Sequence, residues 1–187
     1  DNVYQAANII IATGSSPTRP SISGVELSHV VDSKAILELD KLPQELVIIG
    51  GGVIGCEFAS FFAQIGVNVS VIEMQPEILP TFDVDLAVQL RQQLNPVSFH
   101  LGCRVERIDE THVAFSRDGQ THRIPADLVL MAVGRIPNVG DLGLEKIGLD
   151  FDQRGIRVNE KMQTNVPGLY AVGYVNGQAM LAHAATR

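Results

Sequence analysis

Glu45-Leu46-Val47-Ile48-Ile49-Gly50-Gly51-Gly52-Val53-Ile54-Gly55-Cys56-Glu57 runs from an unbroken apolar stretch into a cluster of glycines, then out into a segment with helical spacing. Residues 45–49 read as a buried strand. Apolar positions from Val53 to Ile65 recur as on one face of a helix, and Gly66 stops it. Asn68 to Ile72 is a second strand that ends in Glu73. Strand, glycine turn, helix and strand make a βαβ unit, whose connection is expected to be right-handed.

Gly50-Gly51-Gly52-Val53-Ile54-Gly55 fits the pattern G-x-G-x-x-G. The pattern alone is weak, but here it follows a strand, opens a helix, and meets an acid about 20 positions on, at Glu73. Gly50 permits a tight turn, Gly52 lets a pyrophosphate approach the backbone, and Gly55 lets the helix pack closely on the strand. The helix N-terminus adds free N–H groups and the positive end of a dipole. A carboxylate at Glu73 can accept bonds from both ribose hydroxyls and repels a 2′-phosphate, while Met74-Gln75-Pro76 carries no cation to bind one. The expected ligand is therefore NAD. Each feature also has a bland reading: a glycine-rich core turn, a solvated acid at a strand end. Glu57 reads equally well as an acid stabilising the start of its helix. Cys56 lies where a thiolate is favoured, yet reads better as a small packed residue.

Outward from this unit, Asn8 to Ala12 reads as a strand broken by Thr13-Gly14-Ser15-Ser16-Pro17, and Ser33 as the cap of a short helix through Leu37. Val84 to Gln93 is a second helix; Ser98–Leu101 and Cys103–Ile108 are strand-like. His112 to Ile124 is a hairpin turning at Asp118-Gly119. Leu128 to Val133 is a buried strand, 134–143 a loop, and Gly155–Val158 and Leu169–Val172 the last strands. The expected fold is α/β, a Rossmann-like three-layer domain of parallel sheet, helices and a β-hairpin or meander layer.

The 187 residues are 45% hydrophobic and carry 14 basic and 21 acidic groups, a net charge of −7. With no basic run, neither nucleic acid nor an anionic membrane is an expected partner. The apolar stretches are too short for a membrane helix. Two cysteines, Cys56 and Cys103, fit a reducing, cytoplasmic setting without a disulfide framework. The five histidines show no metal-ligand spacing. The first strand reads as a late strand of something already begun and the last residues stop inside a helical pattern, so a piece of a longer chain is expected.

Ala12-Thr13-Gly14-Ser15, the Gly50–Glu57 turn with Gly66, Gly134-Arg135-Ile136-Pro137-Asn138 and Tyr170-Ala171-Val172-Gly173 follow one another in register along almost the whole chain. Together they resemble the pyridine nucleotide–disulfide oxidoreductases. Met180-Leu181-Ala182-His183 narrows the resemblance to their dihydrolipoamide dehydrogenase branch. The resemblance implies that residues 1–40 are a strip of an FAD domain with a linker, 41–138 an NAD-binding domain, and 139–187 the returning FAD-domain strip. It implies that Gly50, Gly51, Gly52, Val53, Ile54, Gly55 and Glu57 hold NAD and that Glu73 binds its ribose. Val105 and Gly134 then line the adenine and nicotinamide side. Thr13, Gly14, Ser15, Tyr174, Met180, Leu181, Ala182 and His183 fall along the FAD side.

In such enzymes a dithiol substrate, here a lipoamide-bearing protein, reduces an enzyme disulfide, and electrons pass through FAD to NAD. The family's paired cysteines, its flavin glycine motif and its dimerisation domain have no counterpart in this sequence, so no catalytic residue is expected within it. Where the family carries an Asp that holds the flavin ribityl chain, this chain has Tyr174. Two rival readings stay open. An NADPH-linked disulfide or mercuric reductase is separated by comparing NADH with NADPH binding. A non-catalytic nucleotide-binding module is separated by whether a parent sequence carries the cysteine pair.

Overall fold

Leu46-Val47-Ile48-Ile49 and Leu128-Val129-Leu130-Met131 are apolar without alternation, because both faces of their strands are covered. Leu46, Ile48, Leu128 and Leu130 point to one side, into a cluster with Ala59 and Phe62 of the intervening helix. Val47, Ile49, Val129 and Met131 point to the other, against Ile108, Val113 and Phe115. Period-two geometry thus splits each run between two cores.

The computed structural model describes residues 2–181 and 184. The chain forms two compact units, 17–134 and 1–16 with 135–187. Residues 17–40 pack with the larger unit, which runs to residue 134. The reason is a short strand within 17–40 that joins the central sheet.

In chain order the strands are β1 (Ile9–Ile11), β2 (Ser15–Pro17), β3 (Val30–Val31), β4 (Glu45–Ile49), β5 (Asn68–Ile72), β6 (Ser98–His100) and β7 (Arg104–Ile108). They continue as β8 (His112–Arg117), β9 (Gln120–Pro125), β10 (Leu128–Met131), β11 (Arg135–Pro137), β12 (Phe151–Asp152), β13 (Gly155–Ile156) and β14 (Leu169–Ala171). The helices are α1 (Val53–Gln64) and α2 (Val84–Gln93).

The larger unit has a parallel sheet in the order β3-β10-β4-β5-β6. An antiparallel meander β7-β8-β9 covers one face, as the expected three-layer arrangement requires. The smaller unit is built on the parallel pair β1-β14, with the antiparallel pair β12-β13. Its core gathers Leu144, Leu149, Ile156, Leu169, Ala171 and Val175.

Two local readings change. The turn at residues 32–38 is a 3₁₀ helix over Ala35–Glu38, and its leading amides are taken by Asp32, whose Oδ1 accepts from Lys34 and Ala35 N–H at 2.9 Å. Ser33 is not the cap; the carboxylate one residue earlier reaches further along the turn. The stretch 134–143, expected as loop, contains β11, which pairs with β2. Among the described residues no helix is long and apolar enough to cross a membrane.

Candidate functional site

The glycine turn lies where β4 ends and α1 begins, flanked by the ends of β5 and β10. Gly50 has φ +109°, and a Cβ there would lie 2.4 Å from the Ala132 carbonyl oxygen, so only glycine fits this turn. A Cβ on Gly55 would lie 2.0 Å from the Gly50 carbonyl oxygen; α1 packs that closely on its own entry turn. A Cβ on Gly52 would meet nothing within 4 Å. The three positions thus have different surroundings, as their expected jobs demand: tight turn, open approach, close packing.

Gly52 caps α1 without any side-chain partner. The first intrahelical bond runs from Cys56 N–H to Gly52 O at 2.9 Å. The amides of Val53, Ile54 and Gly55 precede it and point out of the helix end. Uncapped amides beside an unobstructed glycine leave both donors and room that an anion could use. Glu57 is exposed one turn further on, on the wall of a groove of about 500 Å³ also lined by Val53, Phe61, Leu79, Phe82 and Leu90.

Glu73 is buried, 9% exposed, at the end of β5. Its Oε2 accepts from Gly51 N–H at 2.6 Å and its Oε1 from Gln75 N–H at 2.7 Å. Each oxygen keeps a lone pair for a ribose hydroxyl. The bond to Gly51 makes the acid part of the glycine turn, a second duty that sequence spacing alone does not disclose. Val105 sits in β7, half-buried opposite Phe115, just before a bulge that shifts the register at Arg107. The start of β7 is tied to the acid through Cys103 N–H and Glu73 O at 2.9 Å. Gly134, exposed and with φ +110°, follows β10, the strand whose end abuts Gly50.

Cys56 does not behave as a helix N-terminal thiolate. Burial, reinforced by the carboxylates of Glu73, Glu57 and Glu77, pushes its thiol up to about 11, and Sγ donates to Gly51 O at 3.4 Å. Burial also raises Cys103. At pH 8 only about a thousandth of Cys56 is thiolate. Neither cysteine is therefore expected to react with a thiol reagent within minutes in the native chain. Both should titrate after denaturation without reductant; fast native labelling would contradict the packed reading.

In the smaller unit, Thr13 Oγ1 donates to Asn138 O at 2.8 Å. Ser15 accepts from Arg135 through both its hydroxyl, at 2.8 Å, and its carbonyl, at 2.6 Å. Gly14, with φ +73°, accepts from Asn138 N–H at 2.9 Å. The Thr13–Ser15 strip and the Arg135–Asn138 strip thus brace each other. Tyr174 is half-buried in a 3₁₀ turn over Gly173–Asn176. Met180 is half-buried and Leu181 exposed; Ala182 and His183 lie outside the described residues. Among the described residues no group of acids, histidines and cysteines could hold a metal ion.

A Rossmann turn with its acid, a meander layer behind it, and a second unit with its own short sheets define a flavin-linked reductase type of fold. The family model "Pyridine nucleotide-disulphide oxidoreductase" matches residues 1–187, and the chain belongs to that family. It is 45% identical over 184 residues to a dihydrolipoyl dehydrogenase of Acholeplasma laidlawii, covering 95% of this chain and 54% of that protein. It is 41% identical over 187 residues to the dihydrolipoyl dehydrogenase of Bacillus subtilis, covering 98% and 41%. A solved structure of RclA, a HOCl-induced flavoprotein disulfide reductase of Escherichia coli in a Cu(II) complex, superposes with a TM-score of 0.87 at 32% identity. That match covers 96% of this chain and 42% of the other. The chain thus spans about half the length, or less, of these relatives.

Proposed function

We propose that this chain is the nucleotide-binding part of a dihydrolipoyl dehydrogenase-type oxidoreductase and that its dinucleotide is NAD. The observation that carries this reading is the Glu73 carboxylate, buried at the end of β5 and bonded to Gly51 N–H beside the uncapped end of α1. The amides of residues 53–55 and the open face of Gly52 fit a pyrophosphate, and Glu73 fits the ribose diol. Ile54 and Glu57 extend the same cradle along α1, while Val105 and Gly134 flank it toward the adenine and nicotinamide ends. A 2′-phosphate would meet Glu73; the following residues 74–76 carry no cation, and Arg91 is engaged with Glu77. When bound, NAD supplies a hydride acceptor; these residues bind and orient it.

The strip proposed for the flavin fits less well. Ser15 is engaged by Arg135, and Tyr174 presents a phenol where a carboxylate acceptor is needed. We therefore assign the chain's own residues to the nucleotide half of the reaction. FAD, the redox disulfide and the lipoamide-bearing substrate belong to the proposal for the whole enzyme, and a reducing cytoplasmic setting accompanies it. The compact unit 17–134 is the proposed NAD domain, with 1–16 and 135–187 on the FAD side.

NADH is expected to bind the chain more tightly than NADPH. Glu73→Ala should narrow the difference by about 1–3 kcal/mol, the cost of removing one member of a buried polar pair. Calorimetry showing equal affinity for both nucleotides in the starting chain would falsify the NAD assignment and favour an NADPH-linked reductase.

A further inference from the structure

The segment after β5 does more than carry Glu73. It holds the Gly51 peptide from both sides: Glu73 Oε2 takes its N–H at 2.6 Å, and Leu79 N–H donates to its carbonyl at 2.8 Å. A Cβ on Gly51 would lie 3.1 Å from Ile78 Cγ2 and 3.2 Å from Glu73 Cβ, so the segment packs directly on the turn. Leu79 makes its bond with φ +50°, in the left-handed region that a leucine rarely occupies. A segment bent this way needs an external tie.

That tie is visible. Arg91 on α2 forms a two-pronged bond to Glu77, Nε to Oε1 at 2.8 Å and Nη2 to Oε2 at 2.9 Å. Glu77 Oε1 also accepts from Ile78 N–H at 2.9 Å. The side chains are 31% and 16% exposed, so the pair is partly removed from water. Planar, charge-assisted forks of this kind are the stronger ion pairs, and their geometry fixes both partners. The far end of the segment is fixed as well, where Asp83 caps α2 by accepting from Asp85 N–H.

We propose that Glu77 and Arg91 are positioning residues for the dinucleotide: their ion pair fastens residues 73–79 to α2, and so sets the Gly51 peptide and the neighbouring amides that face the pyrophosphate. The inference rests on reading the glycine turn as the NAD site. Neither residue touches the nucleotide. The coupling runs through two hydrogen bonds to Gly51, one from the Leu79 N–H and one to the Glu73 carboxylate.

The test is NADH titration, by calorimetry and nicotinamide fluorescence, of the 187-residue chain, four single variants and the Glu77→Gln/Arg91→Met double variant. Glu77→Gln keeps the shape of the acid and removes its charge; Arg91→Met removes the fork; Arg91→Lys keeps the charge without the fork. Val113→Ala, in the buried meander core, serves as a stability control. Glu77→Gln and Arg91→Met should each weaken NADH binding about three- to thirtyfold, with Arg91→Lys in between. Combining the two losses should cost little more than either alone. Val113→Ala should lower the melting temperature and leave affinity unchanged. Starting-chain affinity in both Glu77→Gln and Arg91→Met overturns the clamp alone, as does an equal loss in Val113→Ala. A starting chain that binds no NADH overturns the site reading and the clamp with it.

Discussion

Gly55→Ala is expected to abolish measurable NADH binding and to destabilise the chain by about 1–3 kcal/mol, the cost of forcing an extra carbon into a packed site. The added Cβ would stand 2.0 Å from the Gly50 carbonyl oxygen, far inside the 3.4–4 Å of ordinary van der Waals contact. No flexible side chain tip can yield there, because the obstacle is backbone. Gly50 cannot easily move either: its N–H is bonded to Ile72 O at 2.9 Å, and its Cα faces the Ala132 carbonyl. So α1 must back away from β4, separating Ala59 and Phe62 from Ile48 and Val71. The same shift carries the amides of residues 53–55 away from the position proposed for the pyrophosphate. Urea unfolding with parallel NADH titration checks both halves, and an alanine variant with an unchanged midpoint and affinity would mean that helix and turn are not in this contact.

Phe115→Ala should have the largest effect on stability, about 3–5 kcal/mol, as a buried aromatic that leaves a cavity. Phe115 is 2% exposed and sits in the cluster joining the meander to the sheet through Val47, Ile49 and Val129. Its ring also stacks on His122 at 5.5 Å and lies 4.9 Å from His100. Against a typical total of about 5–15 kcal/mol, that loss leaves a marginal protein. It acts on the face of the sheet opposite α1, so the folded fraction should keep most of its NADH affinity, any loss passing through Val105, the register partner of Phe115. The two variants should separate cleanly: Gly55→Ala moves affinity, Phe115→Ala moves stability. A Phe115→Ala chain within about 1 kcal/mol of the starting stability would show that the meander is not part of the cooperative core.

The elements around the glycine turn are legible in the sequence because their signals are local and mutually consistent. β4, β5 and α2 span the residues their patterns mark out, and α1 stops one residue early, where Ile65 leaves helical geometry as the C-cap. The roles of Gly50 and Gly55 follow from the motif, and the contacts around them agree. What local pattern cannot carry is partnership at a distance. β11 has no period of its own; it exists because the strip of residues 13–16 lies against it, pinned by Arg135 and Asn138. Asp32 outcompetes Ser33 as a cap by reach, not by residue preference. Glu73 shows in sequence as a ribose ligand, but its hold on Gly51 depends on where β5 ends relative to β4. The Leu79 backbone and the Glu77–Arg91 pair are invisible for the same reason, since 14 positions separate the ion-pair partners.

The sheet order β3-β10-β4-β5-β6 also dictates a schedule on the ribosome. The strand carrying the glycine turn gains its β5 neighbour within about 25 residues of synthesis, a small loop to close. Its other neighbour, β10, is separated from it by the whole α2–meander stretch and emerges only after residue 131. Until then the apolar flank of Leu46–Ile49 is an open strand edge, and the turn lacks the Ala132 carbonyl that abuts Gly50. Nascent chains halted between β6 and β10 should therefore be the species that chaperones capture, and no dinucleotide is expected to rescue them, because the turn proposed to hold it still lacks a flanking strand.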